Sequence, residues 1–323
     1  MISLKITETP DIDWNNRILG TGLATMFQTL ERAEYFKETN HPHYFLQFVD
    51  SNEKIVGQLL VNIVERFRDT SLKTKIFGKT PGIKKKICTW LYGPIIFNTK
   101  LNHEIYKTLK KFLQTNGYLA NGWTQPLLPI EQSFLQNNFN TKKWGTFMID
   151  LSNSKEQLYQ NIQKHSGRKN IERSRKRGVK IEEITETNLE DYFILRSDFR
   201  EELGIGKANF EGFFKKWKKY RSLGYSGFLA KKDEIPIGGL IFSFVDGHII
   251  ESGVARSKLD TKENLYSQDL IKWSIIEWGV ENNMKWYNLT GFNPNPDSKK
   301  EEGILRYKKK WGGNLYEYHR ILG

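Results

Sequence analysis

The residues of this sequence best suited to chemistry are cationic. Between Lys164 and Lys180 stand eight Lys or Arg side chains and one acidic one, Glu172. Arg168, Ile171 and Arg175 fall on one helical stripe, so Ile171 can anchor the segment on a core while the arginines flank a groove. Guanidinium forks at that spacing suit phosphate, which they bind bidentately. A solvated basic helix is the plainer reading of the same residues. A second run, Lys308 to Lys310 in RYKKKWGG, reads on its own as a solvated basic strand.

Other chemistries find little support. Cys88 is the one cysteine, so a disulfide within the chain and a cysteine-based zinc site are excluded. In ICTWLYG, Cys88 reads as a small buried hydrophobe. His41 and His43 are two apart, as in a loop, and His103, His165, His248 and His319 are isolated. No zinc spacing, nucleophile elbow or phosphate-loop motif is present, and no resident metal or cofactor is expected. The chain has 323 residues and a formal charge of +13. That length suits two domains, and that surplus favours anionic partners. No segment approaches the roughly 18 to 20 apolar residues that span a bilayer, so a soluble, cytoplasmic chain is expected.

These residues must be positioned by elements, and the elements repeat. FLQFVDSNEKIVGQLLVNIV, from residue 45, and FLAKKDEIPIGGLIFSFV, from residue 228, each read as strand, polar turn and glycine-bearing strand. Gly57 corresponds to Gly238. FLQTNGYLANGW (112–123) and WGVENNMKWYNL (278–289) each read as helix end, Asn-containing cap and strand. The first half carries a basic insertion, SLKTKIFGKTPGIKKK (71–86). The layout is that of the GNAT acetyltransferase fold, twice. The expected class is α/β with mixed sheets, as two tandem GNAT-like domains (1–150 and 151–323) without a coiled-coil arm. Ser154 and Gln157 form a capping box that starts a basic helix ending on Gly178 (154–178). Trp273, Ile275, Ile276 and Trp278 read as core. The stretch GVARSKLDTKENLYSQDL (253–270) lies where an acyl-CoA enzyme cradles pyrophosphate on a glycine-rich turn. It has no glycine between Arg256 and Leu270, so close backbone approach to a pyrophosphate is poorly supported.

Four segments, in order, resemble one family: MFQTLERAEYF (26–36), WLYGPI (90–95), FMIDLSNSKEQLYQNIQKHSGRKNIERSRKRGV (147–179) and YNLTGFNPNP…EGILRYKKKWGG (287–313). The third is similar to the signature of the Fem family of peptidoglycan interpeptide-bridge aminoacyltransferases. The fourth is similar to that family's ending, an aromatic–Lys pair followed by an aromatic–Gly. The resemblance implies transfer of an amino acid from aminoacyl-tRNA to an amine of a cell-wall or cell-envelope precursor. It makes Lys308 the positive charge beside the oxyanion and packs Tyr307 on the acceptor end of the tRNA. Arg168, Arg175, Arg200 and Trp311 become substrate-binding candidates. Partners would be aminoacyl-tRNA and an anionic nucleotide- or lipid-linked precursor, met by a monomer with peripheral contact to the membrane surface. Gln125–Pro126 and Glu251–Ser252 depart from the family pattern near the expected acceptor. Asp297 is a candidate proton acceptor without a family counterpart. Two other readings stand beside this one: an acyl-CoA-dependent N-acyltransferase acting on a sugar amine or peptide, and a non-catalytic nucleic-acid-binding protein.

Overall fold

A computed structural model describes residues 2–67, 84–207 and 209–323. The chain forms two compact units, residues 1–144 with 317–323 and residues 145–316, against the sequence expectation of 1–150 and 151–323. Most of the 71–86 insertion lies outside the described residues. Its last residues, Lys84 to Lys86, open a strand instead of ending a loop.

In the first unit, strands β1 (Ser3–Thr7), β2 (His43–Val49), β3 (Ile55–Phe67) and β4 (Lys84–Trp90) pair antiparallel in order. A short strand β5 (Ile95–Ile96) pairs with β3. Next to β4 lies β6 (Leu119–Trp123), which runs parallel to it. The connection is helix Asn102–Thr115, whose Ile105, Tyr106, Leu109, Phe112 and Leu113 are buried. Their 3.6-residue spacing makes the apolar face that covers the sheet. Residues 320–322, at the end of the chain, complete the sheet beside β6. Cys88 is fully buried within β4, and burial pushes its thiol far up, out of reach of nucleophilic chemistry.

The second unit has the same plan. Strands β8 (Lys180–Glu183), β9 (Tyr225–Lys232), β10 (Ile235–Val245) and β11 (His248–Arg256) pair antiparallel, and β12 (Trp286–Phe292) lies parallel to β11. Residues 145–150 of β7 (Asn140–Asp150) complete this sheet beside β12. The β9–β10 turn is Asp233–Glu234, both at positive φ (49° and 62°), the twist a two-residue hairpin requires. The repeat read from the sequence is therefore two hairpins, each followed by a strand, a helix and a parallel strand. The second unit's helix in that place is Ser267–Glu281, at 15 residues the longest among the described residues. No described helix is long and apolar enough to cross a membrane.

The expected basic helix 154–178 is broken. It consists of Lys155–Asn161, a wide turn of π type over Lys164–Arg168, and Lys169–Lys176, ending at left-handed Gly178. The break lies at Ile162, which turns inward to 1% exposure, and at Gln163, whose N–H donates to the Lys310 carbonyl at 2.8 Å. Burying Ile162 and tying Gln163 to the C-terminal region outweighs helix continuity.

Candidate active site

The second unit's sheet opens at one point. β11 and β12 pair only over His248–Ile250 with Trp286–Asn288. On its other side, β12 shifts register against β7 between Asn288 and Gly291. Thr290, in that irregularity, has a φ of 62°, a conformation a β-branched residue adopts only when its surroundings hold it there. Asn288 supplies the hold, since its Oδ1 accepts the Thr290 N–H at 2.8 Å and lies 2.6 Å from the Thr146 hydroxyl.

The distorted backbone presents carbonyls to one ammonium. Lys308 Nζ donates to the carbonyls of Leu289, Thr290 and Gly291 at 2.7, 2.9 and 3.2 Å, with Thr290 Oγ1 also at 3.2 Å. Lys308 comes from helix Lys299–Lys309, capped by Ser298 and carrying Glu301 and Glu302 in its first turn and Arg306, Lys308 and Lys309 in its last. That polarity matches the helix dipole. Burial pulls the Lys308 pKa down to about 8, the Glu251 carboxylate opposes the fall, and Lys272 adds to it. The segment before this helix is tied to the helix's first turn. Asn293 is buried and donates to Glu301 at 3.0 Å, and the Asp297 N–H donates to the same carboxylate at 2.8 Å.

Beneath Lys308 lies a network of buried charges. Glu251, the first β11 residue past the β12 pairing, accepts from Lys272 Nζ and, at 2.6 Å, from the Tyr287 hydroxyl. Lys310 Nζ donates to Asp269 and, at 3.0 Å, to the Ser166 carbonyl. Asn170 Nδ2 donates to the other Asp269 oxygen at 2.8 Å. The four charged side chains are between 4% and 7% exposed. Buried charges persist only when paired in this way. The Tyr307 ring lies among them, 4.2 Å from Lys310 Nζ and 5.8 Å from Lys272 Nζ. Its buried hydroxyl lies beside the Asp269 carboxylate. Burial, and then the Asp269 and Glu251 carboxylates, push that phenol well above its usual range, so it stays protonated and able to donate.

The candidates from the sequence divide accordingly. Tyr307 and Lys308 share the opening. Trp311 is at 1% exposure within the hydrophobic core of this unit. Arg168 ends the π turn that packs on Lys310, and donates to Gln160. Arg175 is exposed and pairs with Glu277 at 3.7 Å. Arg200 donates to the Gly206 carbonyl at 3.3 Å near its own helix end, with no described tie to the opening. Sequence reasoning missed Lys272, Asp269, Lys310 and the role of Glu251. The signal was two charges, Asp269 and Lys272, on a helix whose Trp273, Ile275 and Ile276 are core.

The glycine-free turn also differs from expectation. It holds a short helix, Lys258–Lys262, then Asn264 and Tyr266 at φ 53° and 57°. The turn thus takes left-handed geometry without glycine, and Tyr266 in that state is uncommon. Arg177 holds it, donating to the carbonyls of Glu263, at 2.9 Å, and Asn264. Arg173 and Arg177 lie 5.9 and 5.7 Å from the Tyr266 ring. Part of the basic helix is therefore committed to the protein's own turn.

The first unit carries a separate recess of about 380 Å³, lined among others by Phe27, Arg32, Tyr35, Asn62, Asn121 and Trp123. Gln125, one of the departures noted above, is buried and donates to the Leu23 carbonyl at 2.7 Å, which gives it a structural task.

With this geometry in hand, comparison with solved structures shows the fold. The chain is similar to the crystal structure of FemX, with a TM-score of 0.70 and 12% identity over 98% of this chain and 97% of that one. It is also similar to a tandem GNAT protein from the clavulanic acid biosynthesis pathway (TM-score 0.56, 8% identity, 100% and 98% covered). The structure of L-PGS from Bacillus licheniformis matches with a TM-score of 0.53, 12% identity and 90% of each chain covered. No family model and no curated protein sequence matches the chain. The architecture is thus α/β, two tandem GNAT-like units.

Proposed function

We propose that this chain is an acyltransferase of Fem type, moving an amino acid from aminoacyl-tRNA to an amine of a cell-envelope precursor. The observation that carries the reading is the Lys308 ammonium, held at the opening between β11 and β12 beside a protonated Tyr307, in a fold shared with FemX along nearly its whole length. The reaction asks little covalent chemistry of the protein. The amine attacks the ester carbonyl, and a C–N bond forms as the C–O bond to the ribose breaks. The amine proton ends on the ribose oxygen. Since the ester is already activated, alignment of the two substrates and stabilisation of the tetrahedral oxyanion are the main tasks. Lys308 supplies the charge for that oxyanion by exchanging one carbonyl partner for it. Tyr307 offers a protonated phenol as a second donor. The buried pairs Lys272–Glu251 and Lys310–Asp269 keep both side chains in place. Arg168 and Arg175 are assigned to phosphate contacts, and Arg200 to a contact away from the opening, near its own helix end.

The test is discharge of the ester. Purified protein mixed with charged tRNA and an amine acceptor should release free tRNA and form an amide, and uncharged tRNA should compete. Equal binding of charged and uncharged tRNA without discharge of the ester would refute the reading in favour of a nucleic-acid-binding protein.

A further inference from the structure

Enzymes of the GNAT fold take acyl-CoA by placing its pyrophosphate on free backbone N–H groups at a helix N-terminus. The corresponding place here is the start of helix Ser267–Glu281, and its residues do not fit that group. The Ser267 N–H, which would face the phosphate, donates at 2.8 Å to Asp260 Oδ1. Asp260 is 4% exposed, with Arg256 Nε 3.9 Å from its other oxygen. Asp269, in the first helical turn, places a second buried carboxylate at the same helix start. Lys310 neutralises Asp269, so an incoming pyrophosphate would meet the Asp260 charge at the point where the helix dipole should attract it. The helix start is also closely packed. A Cβ on Gly238 would lie 2.2 Å from Ser267 Oγ, so the helix start packs directly on β10. On the turn, Arg177 spends a guanidinium nitrogen on backbone carbonyls.

We infer that Asp260 is a built-in anion that occupies the pyrophosphate position of the second unit and makes that unit reject acyl-CoA donors. Asp260 is thus a specificity-determining residue. It acts by filling a site, and it leaves a donor whose phosphates bind elsewhere, as those of a tRNA would, unaffected. This deepens the acyl-transfer reading and relies on it only for the class of donor being excluded.

The experiment titrates CoA and inorganic pyrophosphate into the wild-type chain, Asp260→Ala and Asp260→Ser by calorimetry. The serine variant keeps a short polar side chain in case the alanine variant fails to fold. The wild type should bind neither ligand at millimolar concentration. At least one folded variant should bind pyrophosphate tighter than the wild type by about tenfold or more, the worth of one charge-assisted hydrogen bond. Wild-type affinity for CoA equal to that of the variants, or no gain in either variant that folds, overturns the inference. Discharge of charged tRNA, measured on the same wild-type sample, separates the two claims. A chain that takes neither CoA nor aminoacyl-tRNA refutes the donor assignment and leaves the role of Asp260 standing, whereas one that discharges tRNA and binds CoA tightly does the reverse.

Discussion

Replacing Lys308 gives the sharpest test of the site, because its two consequences run in opposite directions with pH. Lys308→Met keeps the aliphatic stem and removes the ammonium. The carbonyls of Leu289 and Gly291 then lose the donor at 2.7 and 3.2 Å. Each carbonyl left unpaired in a buried setting costs about 1–3 kcal/mol. Loss of one oxyanion donor should lower transfer by about 10²–10³-fold. The wild-type pH profile carries the finer signal. With a folded pKa of about 8, Lys308 loses its proton above that pH, and kcat/KM for tRNA discharge should fall about tenfold per unit on the alkaline side. Lys308→Arg stays charged throughout, so its alkaline limb should vanish even where its absolute rate is lower. Stability behaves otherwise. The folded pKa lies below the ordinary lysine value of 10.5, so between about 8 and 10.5 the unfolded chain binds more protons than the folded one. Stability contributed through this residue therefore rises with pH across that window, and Lys308→Met should remove the rise. Single-turnover discharge from pH 6 to about 10, with urea unfolding over the same range, measures both effects. Wild-type turnover in the methionine variant, or an alkaline limb that persists in the arginine variant, refutes the assignment.

Lys272→Met should destabilise the second unit by about 3–5 kcal/mol, since it leaves Glu251 buried with only the Tyr287 hydroxyl as partner. Pairing it with Glu251→Leu should recover most of that loss in urea unfolding. A single variant as stable as the wild type would show that the pair is not buried as described. Arg175→Ala removes only an exposed pair with Glu277 at 3.7 Å, so unfolding should be unchanged within about 0.5 kcal/mol. If the exposed face of the basic helix tracks tRNA phosphates, binding should nevertheless weaken, with the salt slope falling by about one. An unchanged slope in a binding titration would remove Arg175 from the interface.

Much of the architecture was legible because it depends on period and punctuation. The hairpins announce themselves as alternating apolar runs around Asp50–Lys54 and Asp233–Glu234, and helix Asn102–Thr115 shows a single apolar stripe. What failed to show are features in which tertiary contacts override local preference. Helix propensity runs straight through Ile162 and Gln163, and only the pocket for Ile162 and the Lys310 carbonyl stop it. Left-handed geometry at Asn264 has a local precedent in asparagine. At Tyr266 it has none, and the Arg177 clamp that sustains it comes from a helix far away in the sequence.

The buried charges are the most instructive omission. Asp269 and Lys272 stand three apart on a helix whose neighbouring positions are Trp273 and Ile276, so they lie on its core side by spacing alone. A lysine on a core stripe must find a carboxylate or lose its charge. That requirement already demands a buried acidic partner. Glu251, noted in the sequence only as a departure from a family pattern, is that residue. The departure and the misplaced lysine answer each other, and together they form the floor on which Tyr307 and Lys308 rest.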